Sequence, residues 1–244
     1  YVTPSDTWAT EREITLTYKV RDVIDMGELR KYEYNYSYTP KENGEKETQI
    51  TNDLLVKKIK VTSEGILESN IKKDGSVITS KETKIERIDR IGPVIALGNN
   101  KEETVRHEVV IPLVLTDEGI GPNYETFTTS DLVIKIGDTK IDSKSYELKH
   151  KSGKDYDLKI TDDTHKGKVT IEIDEKKIED KLKNPNIKTV LPTNITFDNI
   201  YTVKYNANGG TGSMEPSKIE YGKEFTTSKN TFTRNGYTFN GWKE

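Results

Sequence analysis

Few residues in this chain have the type and spacing to do chemistry. The 244 residues include three histidines and no cysteine, which excludes disulfides, thiolate metal sites and cysteine nucleophiles together. His107, His150 and His165 fall on three separate predicted elements, and none stands in a metal-ligand spacing. His107 is in register with an apolar strand face and reads as a packed or rim histidine. The acidic loops Asp117-Glu118-Gly119 and Asp162-Asp163 offer the hard oxygens that calcium takes, without the alternating ligand spacing of an EF-hand loop. They read as polar turns, and folding is expected to need no metal. Gly209-Gly210-Thr211-Gly212 invites comparison with a phosphate cradle, but a phosphate loop needs a helix start carrying a Lys-Ser/Thr pair. Ser213-Met214-Glu215-Pro216 follows instead, so the glycines read as a tight turn. No nucleophile elbow, metalloprotease helix or dinucleotide fingerprint occurs. Leu191-Pro192-Thr193-Asn194 has the look of a sortase signal but lacks its threonine-glycine pair and hydrophobic tail. No catalytic, cofactor-binding or metal-binding residue is expected, and the chain reads as no enzyme.

One constellation remains as a candidate ligand site. Tyr32, Tyr34, Tyr36 and Tyr38 share one face of a predicted strand, with Glu33, Asn35 and Ser37 opposite. Four phenols at a spacing of two suit a sugar-stacking platform. They suit equally the inner wall of a sandwich, with hydroxyls reaching its rim.

The elements around these residues are short and alternating. Hydrophobic and charged residues each make up 32% of the chain, too little apolar surface for one large core and a better fit to several small modules. A net charge of −3 argues against a nucleic-acid or anionic-membrane partner. No apolar run approaches membrane-spanning length and no signal peptide stands at Tyr1. After the turn-rich Thr3-Pro4-Ser5-Asp6, the residues Ile14, Leu16, Tyr18 and Val20 line one strand face. Ile59 and Val61 continue the pattern, and Asp74-Gly75 signals a hairpin. Val105, His107, Val109, Ile111, Leu113 and Leu115 alternate along one strand, with Pro112 on its other face suggesting an edge. Leu132, Ile134 and Ile136 lead into a turn at Gly137-Asp138. Tyr146, Leu148 and His150 are expected to pair with Tyr156, Leu158 and Ile160. Val169, Ile171 and Ile173 form another strand, and Ile178 and Leu182 suggest one short helix within 175–183.

The last stretch opens with Tyr201, Val203 and Tyr205 on one strand face. Tyr237, Phe239 and Trp242 read as the core face of a late strand. Its residues Val203-Lys204-Tyr205-Asn206, Asn208-Gly209-Gly210, Thr211-Gly212, Tyr221-Gly222 and Asn235-Gly236-Tyr237-Thr238-Phe239-Asn240-Gly241-Trp242 resemble the Listeria–Bacteroides repeat, the internalin-type B-repeat of bacterial surface proteins. That resemblance implies a β-grasp-like module in an exported multi-module protein. Members usually run through another strand or two, so residues 200–244 are expected to be a truncated repeat.

Thr7-Trp8, the strand Tyr34-Asn35-Tyr36-Ser37 and the exit Ile88-Asp89-Arg90-Ile91-Gly92-Pro93-Val94-Ile95 resemble bacterial immunoglobulin-like domains. Arg90 stands where a lysine is usual, and the loop Val23-Ile24-Asp25-Met26-Gly27 departs from the usual glycine-rich turn. Residues 91–199 resemble the same fold by pattern. The expectation is thus an all-β chain: two immunoglobulin-like β-sandwich modules in tandem, 1–90 and 91–199, and a β-grasp-like repeat, 200–244. Elongation is expected, with a radius of gyration of about 30 Å rather than the roughly 18 Å of a single globule.

Together the resemblances imply a non-catalytic stalk or adhesion segment of a bacterial surface or secreted protein, monomeric and without membrane insertion. Its partner would be a host or matrix protein or a glycan. Two alternatives stand beside it: direct glycan or protein binding by the Tyr32–Tyr38 face, and accessory domains of a secreted glycoside hydrolase or peptidase.

Overall fold

The alternation before residue 90 folds as two sheets. The structure, a computed structural model, describes residues 7–18, 31–41, 47–51 and 56–243. The expectations for Thr3–Asp6, Val20 and Val23–Gly27 lie outside the described residues. Here the strands are β1 (Arg12–Thr17), β2 (Tyr32–Pro40), β3 (Glu47–Thr51), β4 (Val56–Val61), β5 (Gly65–Lys73) and β6 (Ser76–Ile85). β1 and β4 pair antiparallel, with Ile14 opposite Ile59. The other strands form an antiparallel sheet in the order β3-β2-β5-β6. Ile14, Leu16, Ile59 and Val61 of the first sheet share one buried cluster with Tyr34, Leu67 and Ile71 of the second, so the two sheets face each other. Each such side chain gains roughly 1.5–3 kcal/mol by leaving water. The expected hairpin at Asp74-Gly75 joins β5 to β6 with φ values of 51° and 77°, the left-handed pair that a tight two-residue turn needs. Beyond β6 the chain returns beside Ala9, whose N–H donates to Arg87 O and whose O accepts from Asp89 N.

Residues 94–197 contribute β7 (Val94–Leu97), β8 (Glu103–Val105), β9 (Glu108–Thr116), β10 (Leu132–Ile136), β11 (Thr139–Lys140), β12 (Tyr146–Ser152), β13 (Asp155–Thr161), β14 (Gly167–Ile173) and β15 (Thr189–Phe197). They make a five-stranded sheet, β11-β10-β14-β15-β8, and a four-stranded sheet, β12-β13-β9-β7. Alternate residues of both are buried: Ile111, Leu113, Leu158 and Ile160 in one, Ile134, Ile136, Ile171 and Ile173 in the other. Tyr146 in β12 donates its hydroxyl proton to Leu132 O at the start of β10, 2.9 Å away, which ties sheet to sheet. The β12–β13 hairpin has the register read from the sequence: Tyr146 opposite Ile160, Leu148 opposite Leu158, His150 opposite Tyr156.

Three expectations are corrected here. The single strand over 105–115 is two strands in different sheets, β8 and β9, separated by a bend at Arg106-His107. The alternation runs through the bend unbroken, so spacing alone does not reveal it, and His107 emerges exposed. Pro112 is not on an edge strand, because β9 lies between β13 and β7. Its carbonyl accepts from Gly98 N just past the end of β7. A strand residue points N–H and C=O to the same side, so the donor that proline lacks falls where β7 has ended. Residues 175–183 form turns rather than a helix. Lys176 and Lys183 take φ of 61° and 67°, and the N–H groups of Lys177 and Ile178 bond the Asn186 side chain.

β16 (Ile200–Val203) and β17 (Ser217–Glu220) form an antiparallel hairpin. The late strand expected at Tyr237–Trp242 is absent among the described residues. By contacts the chain divides into two compact units. One is Tyr1–Val94 with Thr116–Thr126 and Glu175–Ile187; the other is Ile95–Leu115 with Phe127–Asp174 and Lys188–Glu244. Among the described residues, no sheet mixes strands from before residue 90 with strands from after it.

Candidate functional site

The tyrosine face of β2 points inward. Tyr32, Tyr34, Tyr36 and Tyr38 are 9%, 1%, 9% and 5% exposed and belong to the core cluster shared with β1 and β4. Of the two readings open from the sequence, the inner wall is the one the geometry supports. The physical reason is the pleat: these positions share a face with Leu67 and Ile71 of β5, which are also buried. Burial, with Tyr36 adding to it, pushes the hydroxyl of neighbouring Tyr18 up to about 12.

Carboxylates gather elsewhere in the first unit. Asp89, Asp117 and Asp180 each offer an oxygen within 4.8 Å of the others. Asp89 follows β6, Asp117 follows β9, and Asp180 lies in the loop before β15. Oxygen donors of this kind suit a hard divalent cation. Most of the oxygens already cap turns. Asp89 accepts from Ile91 N and Ile120 N. Asp180 accepts from Leu182 N, Asn184 N and Asn184 Nδ2. Asp117 Oδ1 accepts from Gly119 N at 2.8 Å and Gly121 N at 3.0 Å. Burial pushes the Asp117 carboxyl up against those two bonds, and the charges of Asp89 and Asp180 push it further. A β-carbon at Gly119 would fall 1.8 Å from Asp89 Oδ2, so the close approach of the two loops requires glycine there.

Asp89 and Asp117 also line an open cleft of ≈ 400 Å³, together with Trp8, Lys41, Glu64 and Arg90. Burial opposes ionisation of Glu64, but bonds from Lys41 Nζ and Arg87 N outweigh it and hold the carboxyl below its usual value. Of the three aspartates, the sequence pointed only to Asp117 as a possible cation ligand. Asp89 and Asp180 lie far from it along the chain, and no local spacing connects them.

The histidines do not converge. His107 Nδ1 lies 2.8 Å from Asp163 Oδ1, and His165 Nδ1 lies 2.8 Å from Asp162 Oδ2. His150 stacks on Tyr156 with ring centroids 4.5 Å apart. Thr164 Oγ1 lies 3.1 Å from the same His165 Nδ1. Asp162 is buried, which raises its pKa, but donors from His165 and Thr164 prevail and hold it below the ordinary value.

In residues 201–243 aromatic packing replaces the expected strand. Trp242 lies 4.7 Å from Tyr205, 5.0 Å from Phe239 and 6.1 Å from Phe232 between centroids, and its Nε1 donates to Ser228 O. Tyr205 Oη accepts from Ser228 N and meets Ser217 Oγ. Asn208 and Gly209 turn with φ of 48° and 82°, the tight turn read from the glycine cluster. Tyr237 is 67% exposed, with the Arg234 guanidinium 4.0 Å above its ring.

Residues 201–244 match the Listeria-Bacteroides repeat domain family. The repeat's hairpin is fastened to its own unit through Asn199, whose Nδ2 donates to Thr164 O and Glu220 Oε1. Two solved bacterial structures show loose likeness to most of the chain. One is FdeC, described as a broadly conserved Escherichia coli adhesin, at 14% identity and a TM-score of 0.25, covering 72% of this chain and 53% of that one. The other is invasin, described as a bacterial integrin-binding protein, at 13% identity and a TM-score of 0.26, covering 85% and 42%. The chain thus spans about half the length of the structures it matches. No curated relative matches the sequence.

Proposed function

We propose that this chain is a non-catalytic, modular segment of a bacterial surface or secreted protein of the adhesion type. The observation that carries the reading is the repeat at residues 201–244, a module of exported multi-module proteins. The all-β architecture supports it: two facing-sheet assemblies, drawn from residues before and after about 90, precede the repeat. We divide the chain into modules 1–90, 91–199 and 200–244 on that basis. Each is a β unit whose task is to hold and space a binding surface. The buried tyrosines of β2 are not that surface, so recognition of a host or matrix protein or a glycan falls to other faces or to adjoining domains.

The test is where the protein resides and what it holds. Antibodies against the chain should label intact producing cells, and external protease should remove the label. Confinement of the chain to the cytoplasmic fraction would overturn the proposal. Arrays of matrix proteins and glycans then separate a binding segment from a spacer.

A further inference from the structure

We propose that the cleft beside Trp8 binds a neutral sugar, stacked on the indole and hydrogen-bonded between Arg90 and Glu118. This deepens the adhesion reading and rests on it for the setting in which a glycan is met. The cleft holds ≈ 400 Å³, within the size range of small-ligand sites. Its lining residues all fall within the first compact unit.

The backbone of its walls is pinned. Ala9, next to Trp8, bridges Ile88 in parallel and bonds the backbone of Arg87 and Asp89. Arg12 Nε donates to Glu86 O and holds the same segment. Asp89, just before Arg90, accepts from Ile91 N and Ile120 N, and its carbonyl accepts from Asn184 Nδ2. Glu118 stands between Asp117 and Gly119, which close a turn on each other at 2.8 Å. Side chains carried on backbone held this firmly are positioned before a ligand arrives, which lowers the cost of binding.

What those walls present is uncommitted. Lys41 and Glu64 satisfy each other at 3.0 Å, and the Asp89 carboxylate is spent on the two loop N–H groups. The side chains of Trp8, Arg90 and Glu118 have no hydrogen bond or ion pair among the described residues. Trp8 is half-buried while Arg90 and Glu118 are exposed. An indole N–H out of water usually finds a partner, so one without any points to an oxygen that a ligand brings. Ile91 and Val94, 67% and 52% exposed, add apolar surface to the same cleft. The ligand must therefore offer an apolar face to the ring, accept from the indole and guanidinium, and donate to the Glu118 carboxylate. A pyranose does all three. The carboxylates of Asp89 and Asp117 beside them disfavour an acidic sugar, and Arg90 disfavours an amine.

Trp8 and Trp242 are the two tryptophans of the chain, and Trp242 lies in the other unit. Trp242→Phe in the full chain therefore leaves Trp8 emission as a reporter of the cleft. Titration with glucose, galactose, mannose and N-acetylglucosamine, and with the neutral oligosaccharides of a glycan array, should change that emission saturably. Arg90→Ala and Glu118→Ala should each weaken binding roughly tenfold without moving the melting temperature, because both side chains are exposed. Trp8→Phe should bind more weakly and Trp8→Ala not at all. Added sodium chloride should leave the affinity unchanged, since the ligand carries no charge. If no neutral sugar or oligosaccharide alters Trp8 emission, the proposal is overturned. Binding indifferent to Arg90 and Glu118 overturns it too, as does a cleft that takes a charged sugar or a peptide instead. Surface-labelled protein that binds no neutral glycan at Trp8 removes this inference alone, whereas cytoplasmic protein that does bind one removes only the adhesion reading.

Discussion

The rings of Tyr18 and Tyr34 meet across the first core, with centroids 5.2 Å apart and planes at 55°. Tyr18 stands just past β1 in one sheet and Tyr34 in the middle of β2 in the other, so the contact fastens the two sheets. Tilted aromatic pairs at this distance gain about 0.5–1.5 kcal/mol beyond their buried area. The polar end is satisfied as well, since Tyr18 Oη donates to Asn35 O at 3.0 Å.

Tyr34→Ala should therefore destabilise the first unit by about 3–5 kcal/mol, the cost of truncating a buried aromatic. Denaturant unfolding followed by near-ultraviolet circular dichroism measures it. If the variant kept its stability within about 0.5 kcal/mol, as exposed positions do, the tyrosine face would be a surface after all.

Alkaline titration tests the same core from the proton side. The Tyr18 pKa rises from 10.0 to about 12 on folding, through burial and the nearby Tyr36. A raised value means that the folded state holds the proton longer. The contribution to stability is whole below pH 10 and is lost as pH climbs through the folded pKa near 12. Burial raises Tyr34 and Tyr146 as well, so phenolate absorbance should show several late-titrating tyrosines in native protein and one fewer in Tyr18→Phe. A normal titration of all tyrosines in the folded state would contradict the buried environment.

Much of the first core and of the 146–160 hairpin was legible in the sequence, because period-two alternation encodes which side of a strand is apolar. What alternation cannot encode is which sheet a strand joins. Val105 and Val109 keep the same parity, yet the bend at Arg106-His107 sends them to opposite sheets. Nor could the four tyrosines be told from a platform by spacing, since a pleated face looks the same whether a second sheet or a ligand covers it. The Asp89, Asp117 and Asp180 cluster was illegible for another reason: three loops separated by tens of residues converge only in the fold. The expected helix failed because Ile178 and Leu182 match a helical spacing that Asn186 overrides locally.

The carboxylate cluster makes a signed prediction. With its pKa raised by burial and by Asp89 and Asp180, Asp117 is stabilising when protonated, and that contribution is lost as pH rises through its folded pKa. At neutral pH in chelating buffer, Asp117→Asn should gain a few tenths to about 1 kcal/mol, because the amide oxygen can still accept from Gly119 N and Gly121 N. The gain should vanish near pH 3. Thermal unfolding in calcium provides the complement: a ligand bound only by the native state raises Tm, and a reversal of the ranking there would show that the cluster holds the ion through Asp117. A loss of stability for the variant in chelator would mean that the three charges do not repel.

The last prediction concerns the turn that replaces the expected helix. Asn186 is 2% exposed, and its Oδ1 accepts from the N–H groups of Lys177 and Ile178, both at 2.8 Å. Its Nδ2 donates to Ile187 O, and its backbone N–H donates to Ile178 O. One side chain thus satisfies two successive backbone donors of the turn. Asn186→Ala strands the Ile178 N–H beside a fully buried side chain, and each such orphan costs about 1–3 kcal/mol. Were 175–183 helical, residue 186 would lie beyond its end and the change would be nearly silent. Lys183→Gly supplies the opposite sign. At φ 67° glycine relieves the left-handed strain of a lysine, so the variant should be neutral or stabilised. In a helix the same change would cost about 1 kcal/mol. Thermal unfolding of the two variants decides between turn and helix: a silent Asn186→Ala with a damaging Lys183→Gly would restore the helix, and the reverse pattern is expected.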